Sequence, residues 1–384
     1  MMPIPVDYEI LRIIWWALLG VLLIGIAVMD GFDMGVAFLN PLLGKTDEEN
    51  RVMINTIAPV WDGNQVWLIT GGGAIFAAWP LVYATAFSGF YIAMFLVLVS
   101  LILRPVSLEY RNKFEGGARK AWDWALFMSG LVPPLVFGVA FGNLFVGTPF
   151  EFDVMKVPHY RDGFLMGFLH LLNPFSLLCG LVSVAMHAAH GAIFLNAKTT
   201  GPVKEKAQKV VPIAYGIWLL LFVIGGYWVS QLNGYTITSA AAVDVVSNPT
   251  IKQVALVKGV WLKNYLSMPI LFAVPVLGIV SALATIALAK SRPVTAFVTS
   301  GLTVAMTITT AGVALFPFLM TSKLNPNHSL TVWDASSSPL TLWVMTIVAV
   351  IFVPIVLSYT GWAYAIVREA INEKYIRDNS HELY

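Results

Sequence analysis

The chain has 384 residues, of which 58% are hydrophobic and only 11% charged, with a formal net charge of +2. A water-soluble domain carries about a quarter charged residues and needs polar helix faces, so this composition excludes a soluble enzyme and gives no footing for nucleic acid. The bilayer is the solvent, and the single Cys179, which can form no internal disulfide, reads as a small hydrophobe in a packed helix.

A spanning helix needs about 20 predominantly apolar residues. The first run, residues 13–29, has no basic n-region and no A-x-A-like end, and it continues into Asp30 and Asp33. It is therefore expected to stay as a membrane helix rather than be cleaved. The second run, 63–103, would reach about 60 Å as one helix at about 1.5 Å per residue. That is twice the membrane, and Trp79-Pro80 supplies a break because proline disfavours helix at the preceding residue. Two helices near 52–78 and 83–104 follow, the first unusually polar with Asp62, Asn64, Gln65 and Gly71-Gly72-Gly73. Runs at 124–150, 163–197, 210–243, 264–289, 293–322 and 335–367 bring the predicted total to nine. The expected fold is all-α, one integral membrane domain over 1–384. The outer loop near 232–263 has little periodicity and reads as an irregular cap.

Nine crossings put the termini on opposite sides. With the C-terminus in the cytoplasm, Arg12, Lys156, Arg161, Lys252, Lys258, Lys263 and Lys323 lie outside and the other 16 of the 23 basic residues lie inside. The positive-inside rule favours this orientation. Trp15-Trp16, Trp79, Trp122 and Trp124 fall near predicted helix ends, where indole rings favour the interface.

Charges inside a bilayer are costly, which makes each a functional candidate. Asp30 and Asp33 are three apart on one helix face towards the cytoplasmic end of helix 1. Asp62 is expected about ten residues into helix 2, near mid-membrane. Arg104, followed by Pro105, ends the predicted helix 3, with Glu109 beyond it. Three carboxylates and one guanidinium then meet in one bundle, either as an interhelical salt bridge or as a proton relay. Asp62 beside Asn64 and Gln65 suits the relay, and its carboxyl is expected to titrate high.

Six histidines raise a haem or metal reading. His187 and His190 are spaced i, i+3, but nothing in the sequence completes a site around them. His170 lies near the outer end of the same predicted helix, and His159, His328 and His381 fall in loops or the tail. No HExxH, CxxC, P-loop or dinucleotide fingerprint occurs, so no metal site and no independent catalytic centre is expected.

Several blocks in fixed order carry a resemblance: Gly31-Phe-Asp-Met-Gly35, Trp61-Asp-Gly-Asn-Gln-Val-Trp-Leu-Ile-Thr70 through Phe76-Ala-Ala-Trp-Pro80, Phe87-Ser-Gly-Phe-Tyr91 and Arg104-Pro105. Then follow Gly138-Val-Ala-Phe-Gly-Asn143, Leu172-Asn-Pro-Phe175, Ser329-Leu-Thr-Val-Trp-Asp334 and Glu382-Leu-Tyr384. Over essentially its full length the chain resembles the second subunit of bacterial cytochrome bd quinol oxidases. The resemblance implies a heterodimer in the cytoplasmic (inner) membrane with a subunit I that carries haem b, haem d and the quinol-oxidising loop. It implies oxidation of quinol on the outer side and reduction of O2 to water with protons drawn from inside. A small single-helix accessory subunit and a structural quinone in this chain belong to the same expectation. By position in the motifs, Asp33, Asp62 and Arg104 would serve the proton path and haem surroundings. Trp61 would lie in the haem d environment and Trp67 on the oxygen access route. The implied architecture is two four-helix bundles plus a peripheral helix, with pseudo-repeat halves near 1–150 and 160–384. The recurrence of Val60-Trp-Asp62 as Val332-Trp-Asp334 echoes it faintly. A secondary transporter with broken helices and midplane carboxylates is the rival from another class.

Overall fold

The computed structural model describes residues 4–161, 163–239, 243–366 and 369–378; Arg368, His381 and Glu382-Leu-Tyr384 lie outside the described residues. The first membrane segment is a continuous helical rod, Tyr8–Leu43. It is built from α1 (Tyr8–Gly25), a π turn (Ile26–Asp30) and α2 (Gly31–Leu43). It therefore runs well past residue 29, and Asp33 sits ten residues before its end, about 15 Å inside at 1.5 Å per residue.

A short amphipathic helix, α3 (Asp47–Ile57), follows and is separate from α4 (Trp61–Ala78). The expected single helix over 52–78 is thus two. A capping box starts α3: Glu49 N–H donates to Thr46 Oγ1 at 3.2 Å while the Glu49 carboxylate accepts from Thr46 N–H. Lys206 Nζ lies 2.5 Å from the same carboxylate. Burial works to raise the Glu49 pKa, but Lys206 and the N–H groups of Lys45 and Thr46 outweigh it, and the group stays below its ordinary 4.5. A depressed carboxylate contributes stability that is full above 4.5 and lost as pH falls through the lowered value. Amide hydrogen exchange in α3 is accordingly expected to accelerate in that acid window, and Glu49→Gln to flatten the dependence.

Trp79-Pro80 breaks the long run as expected, giving α4, then α5 (Pro80–Gly89) and α6 (Tyr91–Arg111). Pro105 does not end α6; the helix continues through it for another turn and a half, because neighbouring helices can satisfy the backbone a proline frees. The rest is α7 (Gly116–Val146), β1 (Phe150–Phe152), β2 (Pro158–Tyr160), α8 (Gly163–Leu171), α9 (Pro174–Lys198) and α10 (Pro202–Gln231). Then come β3 (Asn233–Ser239), β4 (Gln253–Lys258), α11 (Lys263–Ser267), α12 (Ala273–Leu288), α13 (Pro293–Leu315), β5 (Phe318–Met320), β6 (Leu330–Thr331), α14 (Pro339–Ile366) and α15 (Glu373–Asp378). The run 163–197 is two helices, not one. Asn173 caps α9 by accepting from Ser176 N–H at 3.0 Å, and Pro174 occupies its first turn.

Among the described residues, eight helices are long and apolar enough to cross a membrane. The polar α4 falls outside that set, yet the contacts at its two ends show that it runs the length of the bundle. At one end Arg111 pairs with Asp47 at 2.8 Å and Lys206 with Glu49. At the other, Ser337 N–H donates to Ala78 O at 2.8 Å and Tyr160 reaches Thr85 O. The loop around 44–60 and the loop around 79–90 therefore sit at opposite ends of the bundle.

The cap expected near 232–263 is more regular than predicted: β3 and β4 form an antiparallel hairpin. Lys252, buried beneath it, holds Asp334 at 2.9 Å. Arg12 is wholly buried, with its guanidinium 3.6 Å from the Tyr8 ring centroid and bonded to Ser336 Oγ at 2.7 Å. The belt reading fails for two tryptophans. Trp79 is fully buried, and Trp15, 5% exposed, donates its indole N–H to Leu342 O at 2.9 Å. They are core residues, packed with Phe150, Met320 and Leu330.

Candidate functional site

The centre of the molecule is α2, packed between α7 and α9. Close approach explains the glycines of its Gly31-Phe-Asp-Met-Gly35 motif. A β-carbon at Gly35 would lie 2.1 Å from the His187 carbonyl oxygen, and one at Gly31 would lie 2.7 Å from the His187 ring. Across the contact, Gly191 offers the matching flat surface, and Gly130 of α7 meets the Met34 carbonyl from the other side. This packing forces the two acidic residues of the segment into the interior, and both Asp30 and Asp33 are 0% exposed.

Each carboxylate has one partner on another helix. Arg104 of α6, itself fully buried, forms an ion pair with Asp30. Asn64 of α4 donates its amide to Asp33 Oδ2 at 2.7 Å, and the Asn64 carbonyl accepts from Tyr364 O–H of α14 at 2.6 Å. Five helical segments thus meet at two carboxylates. Asp30 Oδ2, Asp33 Oδ1, and Arg104 Nε and Nη2 have no hydrogen-bond partner among the described residues. Breaking such a pair typically costs about 3–5 kcal/mol, because the surviving charge stays buried.

Asp62 is not in this cluster. With α4 starting at Trp61, Asp62 is its second residue, exposed on the outer face rather than ten residues deep, and Asn64 takes the inward position. Glu109 is also outside; it pairs with Lys113 at 2.8 Å on an exposed surface. Trp61 packs against the small cluster of Ala37, Ile54, Leu108 and Leu126. Trp67 lies flat on Gly25, where a β-carbon would come within 2.5 Å of its ring. That contact seats α4 on the first helix immediately before the π turn.

The histidines divide by environment. His190 is fully buried with both ring nitrogens engaged, one 2.6 Å from Ser300 Oγ and the other 3.0 Å from the Val28 carbonyl. His187 uses Nδ1 on the Ser183 carbonyl at 2.7 Å. His190 is therefore left with no ring nitrogen for a metal, and His187 has one already engaged. His170 belongs to the separate helix α8 and is exposed, while His328 accepts from Phe152 N–H in the cap at 2.9 Å. Among the described residues no three His, Cys, Asp or Glu side chains converge as a metal site.

Beside His187 opens an apolar cavity of about 580 Å³, bounded by α1, the π turn, α2, α7, α9, α10, α12 and α13, with Met34, Phe137, Met186, Phe222 and Ile308 in its walls. Its size falls within the roughly 300–1,000 Å³ of ligand pockets. Sequence reasoning missed this cavity, as well as Tyr364 and the His190–Ser300 pair. Only the unusual polarity of each residue in an apolar run signalled them.

A family model described as cytochrome bd terminal oxidase subunit II matches residues 11–367. The cytochrome bd-I ubiquinol oxidase subunit 2 of Escherichia coli K12 is 51% identical over 99% of this chain and 100% of its own length. The cytochrome bd ubiquinol oxidase subunit 2 of Bacillus subtilis is 33% identical over 94% of this chain and 97% of its own. A chain from the structure of bd oxidase from Geobacillus thermodenitrificans superposes with a TM-score of 0.67 at 16% identity, covering 93% of this chain and 98% of that one, and so shares the fold. The transporter reading finds no support in these likenesses. The apolar helices and these relatives make the protein an integral inner-membrane subunit of a haem-containing terminal quinol oxidase, with a subunit I as partner. The chain belongs to the cytochrome bd terminal oxidase subunit II family.

Proposed function

We propose that this chain serves the oxidase through its buried polar cluster and its apolar cavity, while subunit I holds haem b and haem d and the quinol-oxidising loop. Quinol oxidation releases protons outside, and reduction of O2 to water takes up the same number from the cytoplasm, so charge separates without a pump. The observation that carries the reading is the pair of buried carboxylates, Asp30 and Asp33, with one cation and four polar atoms left unsatisfied. Carboxyls held in that way can exchange a proton more cheaply than a fully bonded salt bridge can.

Asp62 belongs to a different surface. The outer face of α4 exposes Asp62, Gly63, Thr70 and Gly73 beside Val66 and Ile69. Such a small and polar stripe suits contact with another helix rather than with lipid, and subunit I is the partner we assign to it. On this reading Trp61 and Trp67, flanking that face, stand towards the haem d environment and the oxygen route. The cavity suits an isoprenoid quinone held structurally, since its walls are overwhelmingly apolar with His187 and Ser183 at one side. We further place the C-terminus in the cytoplasm, on the distribution of basic residues. The chain is one membrane domain with pseudo-repeat halves near 1–150 and 160–384, and a single-helix accessory subunit completes the complex.

The chain expressed alone is expected to give no haem spectrum, and co-expression with subunit I to give an assembled, haem-replete complex. Stoichiometric haem on the isolated, folded chain would overturn this division of labour.

A further inference from the structure

The π turn at Ile26–Asp30 inserts one residue into the first membrane helix, and its bonds reach five residues back, as from Gly31 N–H to Ile26 O. Both flanks of the turn are seated independently. Upstream, Gly25 lies under the Trp67 ring; downstream, Gly31 and Gly35 lie against His187 and Gly191 of α9. Relaxing the turn to ordinary α-helix would rotate one flank against the other by about 100°, the angle of one residue at 3.6 per turn. Asp30 would then leave Arg104, or Trp67 would leave Gly25. Something must hold the extra residue in place.

We propose that His190 is that positioning residue, and that its bond to the Val28 carbonyl sets the register which aims Asp30 at Arg104 and Asp33 at Asn64. A carbonyl only accepts, so His190 Nε2 must carry the proton in the 3.0 Å contact with Val28 O. Nδ1 is then the lone pair and accepts from Ser300 O–H at 2.6 Å, and Ser300 Oγ in turn accepts from Tyr215 O–H at 2.6 Å. The ring also stacks on Phe297 with centroids 4.9 Å apart and planes 8° off parallel. The tilt and reach of His190 are thereby set by α10 and α13, and the bond it donates falls in the middle of the π turn. Neither Asp30 nor Arg104 has enough bonds of its own to impose the geometry, given their unsatisfied atoms.

The competing role is plain packing of an aromatic ring. His190→Gln keeps an N–H donor for Val28 without the ring, whereas His190→Phe keeps the ring and the stack without the donor. Both are made in the complete complex with subunit I, and two quantities are read: a cryo-EM map over residues 26–30, and oxygen consumption per haem d. His190→Phe is expected to lose the π turn, to part Asp30 from Arg104 and to slow turnover about tenfold or more. His190→Gln is expected to keep the turn, with turnover within about twofold of wild type. An intact π turn in His190→Phe, or loss of the turn in His190→Gln, overturns the proposal. Where His190→Phe does not accumulate, His190→Asn, whose amide is too short to reach Val28, takes its place with the same two outcomes. The turnover part rests on the proton-handling reading of the cluster, and the two can fail separately. A lost turn with unchanged turnover supports the positioning role and removes the cluster from the proton path. Lost turnover with an intact turn overturns the positioning role and leaves that reading standing.

Discussion

Arg104→Ala is expected to cut the amount of assembled oxidase severely, because it strands Asp30 in a site with no exposure. The cost of an uncompensated buried charge is about 3–5 kcal/mol, a large share of the roughly 5–15 kcal/mol by which a folded protein is stable. Asp30 can relieve part of that by taking up a proton, but the volume of the guanidinium is lost as well. Replacing both partners with apolar residues of similar size, as in Arg104→Met with Asp30→Leu, should recover assembly, since buried pairs are often no more stabilising than well-packed hydrophobes. Haem d content of membranes reports assembly, and oxygen consumption per haem d reports function. If the cluster handles protons, the double variant assembles and turns over slowly. If turnover returns together with assembly, the ion pair only holds helices together. Arg104→Ala complexes at wild-type abundance would contradict the energetic argument altogether.

How far the sequence led depended on whether a feature was set by local chemistry or by packing. Trp79-Pro80 marked a real break because the restraint acts on the residue next to proline. The same logic misjudged Pro105, where α6 runs on inside a bundle that tolerates the kink. Asn173-Pro174 is also a local signal, an N-cap followed by a first-turn proline, yet it lay hidden inside an uninterrupted apolar run. The misplacement of Asp62 followed from merging α3 with α4. Starting a helix nine residues early carried Asp62 deep, while the turn at 58–60 returns it to the surface and makes Asn64 the inward residue. That Arg104 meets a carboxylate could be read from charge alone, since a buried charge needs an opposite one, but only the structure selects Asp30. Tyr364, 300 residues from Asn64, could not be paired that way. A hydroxyl near the end of an apolar helix has many possible acceptors, and only the folded packing selects one. The π turn was equally silent, because what places it lies outside Ile26–Asp30: the surfaces that seat its two flanks and the His190 ring bonded to the Val28 carbonyl.

Asp33 and Asp62 now stand on different footings, and substitution of each by asparagine separates them. Asp33→Asn preserves volume and still offers a carbonyl oxygen to the Asn64 amide, so the Asn64–Tyr364 bonds and the assembly should survive. What disappears is the group that can take and release a proton. Positioned acid–base groups contribute about 10²–10⁴-fold to the steps they serve, and oxygen consumption per haem d is expected to fall about a hundredfold, the lower end of that scale. Asp62→Asn changes a residue on the exposed face of α4, towards the partner we assign. It should leave this chain's own fold intact, and turnover should slow only if a proton passes from the buried cluster across that face to the haem of subunit I. Two residues on one serial path give a diagnostic pattern: the double variant is no slower than the slower single one, because the path is already broken. Multiplying effects would place the two carboxyls on separate routes. An Asp62→Asn complex with unchanged oxygen consumption per haem d would remove Asp62 from the path and leave Asp33, beside Asp30 and Arg104, as the proton-handling carboxyl of this subunit.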